Sequence, residues 1–193
     1  MRFLRAFAGP FTALLLCSAL TCHAGPAEGL VGHWTLDQTV TSPQGGWSGS
    51  LISSAELTER AHFLGNGCYY RGSGNGYLQT DYPGITGSSG RSISVWFRAD
   101  TDIGHFDTIC GWGQNSNGRR YDFRVDGGNL RIEINGTGHT MTLARPINDR
   151  QWHHALLTFL GGNFRNHSLY VDGKLAGSTS STSATVNLSL IHI

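Results

Sequence analysis

The chain has little of what builds helices. Its single lysine is Lys174, and Glu28, Glu56, Glu59 and Glu133 are its only glutamates. No stretch holds apolar residues at a 3.6-residue period over three turns. Glu56-Leu57-Thr58-Glu59 is the one place for a short helical turn. Long apolar runs are also missing. Ala6–Leu20 is short of the roughly 20 residues that cross a bilayer, and Pro10 and Thr12 interrupt it. With Arg2 and Arg5 ahead and Cys22-His23-Ala24 behind, it reads as a secretory signal peptide, residues 1–24, cleaved after Ala24. Cleavage removes two of the 14 basic residues and leaves 12 against 13 acidic, a charge of −1. That balance offers no field for nucleic acid or an anionic membrane, and no transmembrane span follows the signal. Of four cysteines, two leave with the signal. The remaining pair, Cys68 and Cys110, shows no metal spacing. Export permits a Cys68–Cys110 disulfide; two buried free thiols are the alternative.

What is present is glycine, 27 residues of it, between short segments of period two. Strands are expected at Leu30–Leu36, Cys68–Arg71, Tyr77–Thr80, Ser92–Arg98, Thr108–Trp112, Arg120–Val125, Leu130–Ile134, Thr140–Leu143, Trp152–Leu160, Ser168–Val171 and Lys174–Ala176. Asp126-Gly127-Gly128-Asn129 and Asp172-Gly173 predict hairpins. Many short strands at regular spacing predict an all-β sandwich or barrel, and Gly25–Asn187 suffices for one core. Ser178–Ala184 reads as a loop or an exposed edge. Leu188–Ile193 reads as the translation of a transposon-type sequencing adapter, an artefact. The natural chain is therefore expected to continue after Asn187, with the closing strands of the domain missing.

Four segments carry a family resemblance. They are Leu30–Asp37, Gly67–Leu78 with its glycine turn, Arg91–Asp100, and Gln151-Trp152-His153-His154 followed by Leu169-Tyr170-Val171-Asp172-Gly173-Lys174-Leu175. In this order the chain resembles the laminin-G-like, concanavalin A-like lectin/glucanase jelly rolls. The resemblance implies an antiparallel two-sheet jelly-roll sandwich, with Trp96 and Trp152 suited to the space between the sheets. It also implies a structural Ca²⁺, held partly by carboxylates near the chain ends. Here the family's acidic turn is replaced by Thr41–Gly49. Asp37, Asp81, Asp100, Asp102 and Asp107 are the oxygen donors on offer, with solvated turn residues as the alternative. His153 and His154 are strand neighbours that point to opposite faces, so they do not share an ion.

The fold class includes glycoside hydrolases, which need paired carboxylates about 5–5.5 Å apart in the retaining case. No strand carries acids at i, i+2 or i+4 on one face, so no enzyme is expected and no catalytic residue is assigned. The richest loop is Gly111–Tyr121. Trp112, Asn115, Asn117, Arg119 and Tyr121 offer an aromatic face, amides and guanidinium donors, the groups a sugar needs. A polar hairpin loop around a core tryptophan is the alternative. Trp47 and Tyr82 are weaker candidates. The expected function is an exported, bacterial-type, non-catalytic recognition module for carbohydrate binding or adhesion at the cell surface. An accessory domain of a larger secreted glycoside hydrolase, or a structural domain with a protein ligand, stand as alternatives.

Overall fold

The computed structural model describes residues 28–58, 67–69, 76–101, 104–114, 116, 119–134, 137–179 and 185–188. The chain divides into two compact units, Met1–Val31 and Gly32–Ile193. Of the first, residues 28–31 are described, and they contain a turn with Gly29 at φ 79°. The expected signal segment, 1–24, lies outside the described residues. Among those described, no helix is long and apolar enough to cross a membrane.

The second unit is an all-β, antiparallel two-sheet jelly-roll sandwich. Its strands are β1 (Gly49–Ile52), β2 (Glu56–Thr58), β3 (Gly67–Tyr69), β4 (Tyr77–Thr80), β5 (Arg91–Arg98), β6 (His105–Gly113), β7 (Arg120–Asp126), β8 (Asn129–Ile134), β9 (Thr137–Met141), β10 (Trp152–Phe159), β11 (His167–Val171) and β12 (Lys174–Ser178). One four-stranded sheet has the order β12-β11-β10-β5 and the other β6-β7-β8-β9. Two small ribbons, β1-β4 and β2-β3, accompany them.

Period-two alternation sends one side of each strand inward. Tyr121, Phe123 and Val125 of β7, Leu130, Ile132 and Ile134 of β8, and Ala155, Leu157 and Phe159 of β10 form one core with Leu169, Phe164, Val186 and Leu188. Ile93, Val95 and Phe97 of β5 pack against it. Each large side chain buried this way contributes about 1.5–3 kcal/mol. Both expected hairpins close as type I′ turns, with positive φ at Gly127 and Gly128 (56° and 85°) and at Asp172 and Gly173 (48° and 77°). That geometry matches the strand twist.

Three expectations need correction. Leu30–Leu36 enters no ladder. The His33 amide donates instead to Ser42 Oγ at 2.7 Å, and Leu36 turns to φ 62°. Alternation selects a face, but a strand also needs a neighbouring edge. Glu56–Thr58 is a strand rather than a helical turn, paired in register with Tyr69, Cys68 and Gly67. Trp96 is not between the sheets: it is 48% exposed, because Val95 and Phe97 on either side of it take the inward positions. Leu188, at the start of the expected adapter segment, is buried and bridges to Gly87; 189–193 lie outside the described residues, as do 71–75 and 180–184.

Candidate functional site

The aromatic residues singled out in the sequence converge on the loop between β4 and β5. Arg91 anchors that loop. Its Nη1 donates to Ile85 O at 2.6 Å, and its Nη2 to Gly87 O at 3.0 Å and Ser89 O at 2.8 Å. The guanidinium lies 5.6 Å from the Tyr121 ring and 5.3 Å from the Phe159 ring. Trp112 Nε1 donates to the same Ile85 carbonyl at 3.2 Å, and its indole stacks on Tyr121 at 4.8 Å and 22°. Tyr121 is fully buried; burial pushes its phenol pKa well up despite the nearby Arg91 charge. Tyr121 therefore fixes Trp112 from inside, and the pair holds the rim in place.

Three further rings form the outer part of this rim. Tyr82 lies 5.7 Å from Trp34 and 5.2 Å from Trp47, tilted by 55° and 58°. All three are half-buried. Glycines make room for the indoles: a Cβ on Gly32 would meet Trp34 Cζ3 at 2.6 Å, and one on Gly45 would meet Trp47 Nε1 at 2.2 Å. Gly45 also has φ 76°, in the turn closed by the Ser42–Trp47 bridge. A Cβ on Gly84 would lie 2.0 Å from Trp112 Cδ1. Trp34 Nε1 and Gln44 Oε1, a donor and an acceptor, are buried here without hydrogen-bond partners among the described residues. Trp34 was not singled out in the sequence; a Gly-x-Trp pattern shared by Gly32-His33-Trp34 and Gly45-Gly46-Trp47 was the available signal.

Of the expected loop set, Arg119 is exposed. Its backbone closes the loop, the Gln114 amide donating to Arg119 O at 2.9 Å and the Arg119 amide to Ser116 O at 3.0 Å. Asn115 and Asn117 lie outside the described residues. Cys110 is a free thiol, so no Cys68–Cys110 disulfide forms here; nothing is described of the Cys68 side chain. Burial, helped by the Asp122 charge, pushes the Cys110 thiol up to about 12, which makes it unreactive.

Two acids that no single strand brings together meet across two strands. Asp122 of β7 lies directly opposite Glu133 of β8, on the outer face of the β6–β9 sheet. Gly111 faces Asp122 and Gly138 faces Glu133 in the same transverse row. Arginines occupy both acids. Asp122 Oδ2 is 2.7 Å from Arg120 Nε and 2.7 Å from Arg124 Nη2. Glu133 Oε2 is 3.2 Å from Arg131 Nε and 3.8 Å from Arg124 Nη1. Hydrolysis asks one carboxyl of such a pair to give a proton. Both carboxylates here are ion-paired to arginines instead.

His153 and His154 diverge as expected. His153 lies between Asp172 Oδ2 (2.9 Å from Nδ1) and Asp149 Oδ1 (3.1 Å from Nε2). Burial opposes its charge, but the two carboxylates outweigh it and raise its pKa. His154 Nε2 is 2.8 Å from Ser94 Oγ on the other side of the sheet. Among the described residues, the carboxylates considered for Ca²⁺ form no common cage. Asp81 Oδ1 accepts the Ser48 amide at 2.7 Å, and Asp100 is engaged by Arg150 at 2.9 Å. No group of three His, Cys, Asp or Glu among the described residues could hold an ion; Asp102 is outside them.

The family follows from a profile match over residues 72–190. The chain belongs to the concanavalin A-like lectin/glucanases superfamily. Solved structures agree on the fold. Domain 4 of AbnA, an extracellular GH43 arabinanase from Geobacillus stearothermophilus solved in complex with arabinotriose, superposes with TM-score 0.62 at 15% identity, over 83% of this chain and 79% of that one. The binding domain of Paraclostridial Mosquitocidal Protein 1 gives 0.59 at 14% identity, over 82% and 41%. Botulinum neurotoxin type C, whose cell entry depends on two ganglioside molecules, gives 0.57 at 14% identity, over 83% and 40%. The superfamily member thus spans about two fifths of those two toxin chains. No curated protein sequence matches it.

Proposed function

We propose that this superfamily member is an exported, non-catalytic recognition module that holds a glycan at the rim formed by Trp34, Trp47 and Tyr82. The carrying observation is the meeting of three half-buried rings on a loop locked by Arg91 and Trp112. Rings of this kind stack on the apolar faces of sugars. The ion-paired state of Asp122 and Glu133 supports binding without cleavage. The likeness to domain 4 of an extracellular arabinanase supports a second reading, in which the module serves a larger secreted hydrolase.

A glycan array on the purified chain tests the rim. Tyr82→Ala and Trp47→Ala are expected to weaken glycan retention at least tenfold with little change in the urea midpoint. Trp112→Ala is expected to lower the midpoint as well, because it removes the stacking partner of Tyr121. Retention unchanged in the Tyr82 and Trp47 variants would reject the rim.

A further inference from the structure

The outer face of the β12-β11-β10-β5 sheet takes no part in the rim or the core. Strand register orders it into transverse rows. One row is Ser92, Thr158, Ser168 and Ser178, a hydroxyl on every strand of the sheet. The next is Ser94, Leu156, Tyr170 and Leu175. The third begins with Trp96 opposite His154. Trp96 is 48% exposed and Leu175 60%. The imidazole of His154 lies 5.2 Å from the indole, tilted by 46°. It is held by Ser94 Oγ at 2.8 Å, while the His154 amide donates to Asp172 Oδ1 at 2.9 Å. The Trp96–His154 corner is therefore preorganised.

We propose that this face is a second binding surface, distinct from the rim, for an uncharged polysaccharide chain lying across the four strands. Three properties point to that ligand. The ten named positions carry no Asp, Glu, Lys or Arg, and the charges that border them are engaged: Asp172, facing His154, accepts the His154 amide and pairs with His153, and Arg98 lies over the Trp152 ring at 5.8 Å. Six of its ten positions carry hydroxyls, whereas serine is depleted from protein–protein interfaces. A large, exposed ring at one end provides a stacking platform, and neutral hydroxyls along the rest match hydroxyl ligands. Length selects a chain over a single sugar. Strands spaced by about 4.8 Å put the ends of a four-strand row about 14 Å apart.

Affinity electrophoresis of the full chain through gels containing xylan, arabinan or mixed-linkage β-glucan tests this. Wild type is expected to be retarded on at least one gel. Trp96→Ala should lose that retardation tenfold or more, and Trp96→Phe should keep most of it. The Trp47→Ala/Tyr82→Ala double variant should retain the Trp96-dependent part, which separates this surface from the rim. Equal migration of wild type and Trp96→Ala on every gel would overturn the proposal. So would a concentration-dependent dimer abolished by Trp96→Ala, since the face would then be a self-interface. The urea midpoint of each variant checks that it folds, and a shift of the Trp96 indole N–H resonance on adding soluble xylan or arabinan fragments gives a readout that does not depend on the variants.

Discussion

The two outer faces of the sandwich share one strand geometry and differ in chemistry. The β6–β9 face is charged, and its ions pair with one another. Asp122 bridges Arg120 and Arg124, and Thr140 accepts from Arg131 Nη1 at 2.9 Å while donating to Asp126 Oδ2 at 2.7 Å. Glycines on the flanking strands leave room for this network: a Cβ on Gly111 would meet Asp122 Oδ1 at 2.5 Å, and one on Gly138 would meet Arg131 Nη2 at 2.0 Å. The β12-β11-β10-β5 face carries an exposed indole and six hydroxyls, bordered by Arg98 and Asp172. Alternation alone treats the two faces alike, since both strands sets hide their apolar members. The outward residues decide that one face braces the fold and the other is open to a ligand.

Removing a buried ion separates the faces most strongly. Asp122 is 3% exposed, so Asp122→Ala leaves Arg120 and Arg124 without their shared counter-charge. The expected loss is about 4 kcal/mol, by analogy with other broken buried pairs. Trp96→Ala on the opposite face is expected to cost about 1 kcal/mol or less. Urea unfolding of both variants measures this, and equal losses would erase the distinction.

Much of this division could be read from the sequence, and some could not. Eight-residue alternation made β5 and β10 legible, along with the divergence of His153 and His154. The Asp-Gly and Gly-Gly turns made two hairpins legible. Cross-strand facts were hidden. Asp122 and Glu133 are eleven positions apart, and only the β7–β8 register places them face to face. The same holds for the hydroxyl row, whose four members come from four strands. Trp96 misled because size suggested a core role, while its own neighbours had already claimed the inward positions. Trp112 and Tyr121 looked like ligand contacts because they border a polar loop, yet Tyr121 alternates inward with Phe123 and Val125.

The comparison extends into the core through pH. His167, on the inner side of the β12-β11-β10-β5 sheet, stacks on Phe159 at 4.4 Å, with Nδ1 2.5 Å from Phe164 O. Burial, aided by the Arg91 charge against the opposing Phe164 contact, lowers its pKa from 6.5 to about 4. The unfolded chain therefore binds the extra proton first, and stability falls as pH drops from about 6.5 to 4, by about 3 kcal/mol. His153 works in the opposite window. Its raised pKa stabilises the fold below 6.5, and that contribution is lost as pH rises through the folded value. A stability maximum between about pH 6 and 7 is expected from urea midpoints. His167→Phe should flatten the acid side alone; an unchanged acid slope would show that another group carries it.

The smallest effect separates buried from exposed charge. Arg150 Nε donates to Asp100 Oδ1 at 2.9 Å, as short as many buried pairs, but the side chains are 65% and 61% exposed. Arg124 and Asp122 meet at 2.7 Å with 12% and 5% exposure. Distance alone would rank the pairs together; solvent should not. A double-mutant cycle on Asp100 and Arg150 is expected to give about 0.5 kcal/mol or less. That coupling should vanish in 1 M NaCl, where the Debye length is about 3 Å. The Asp122–Arg124 coupling should largely survive the same salt, because its partners have little contact with mobile ions. A salt-sensitive Asp122–Arg124 coupling would mean that water reaches the charged face, and that this face is as open to a ligand as the opposite one.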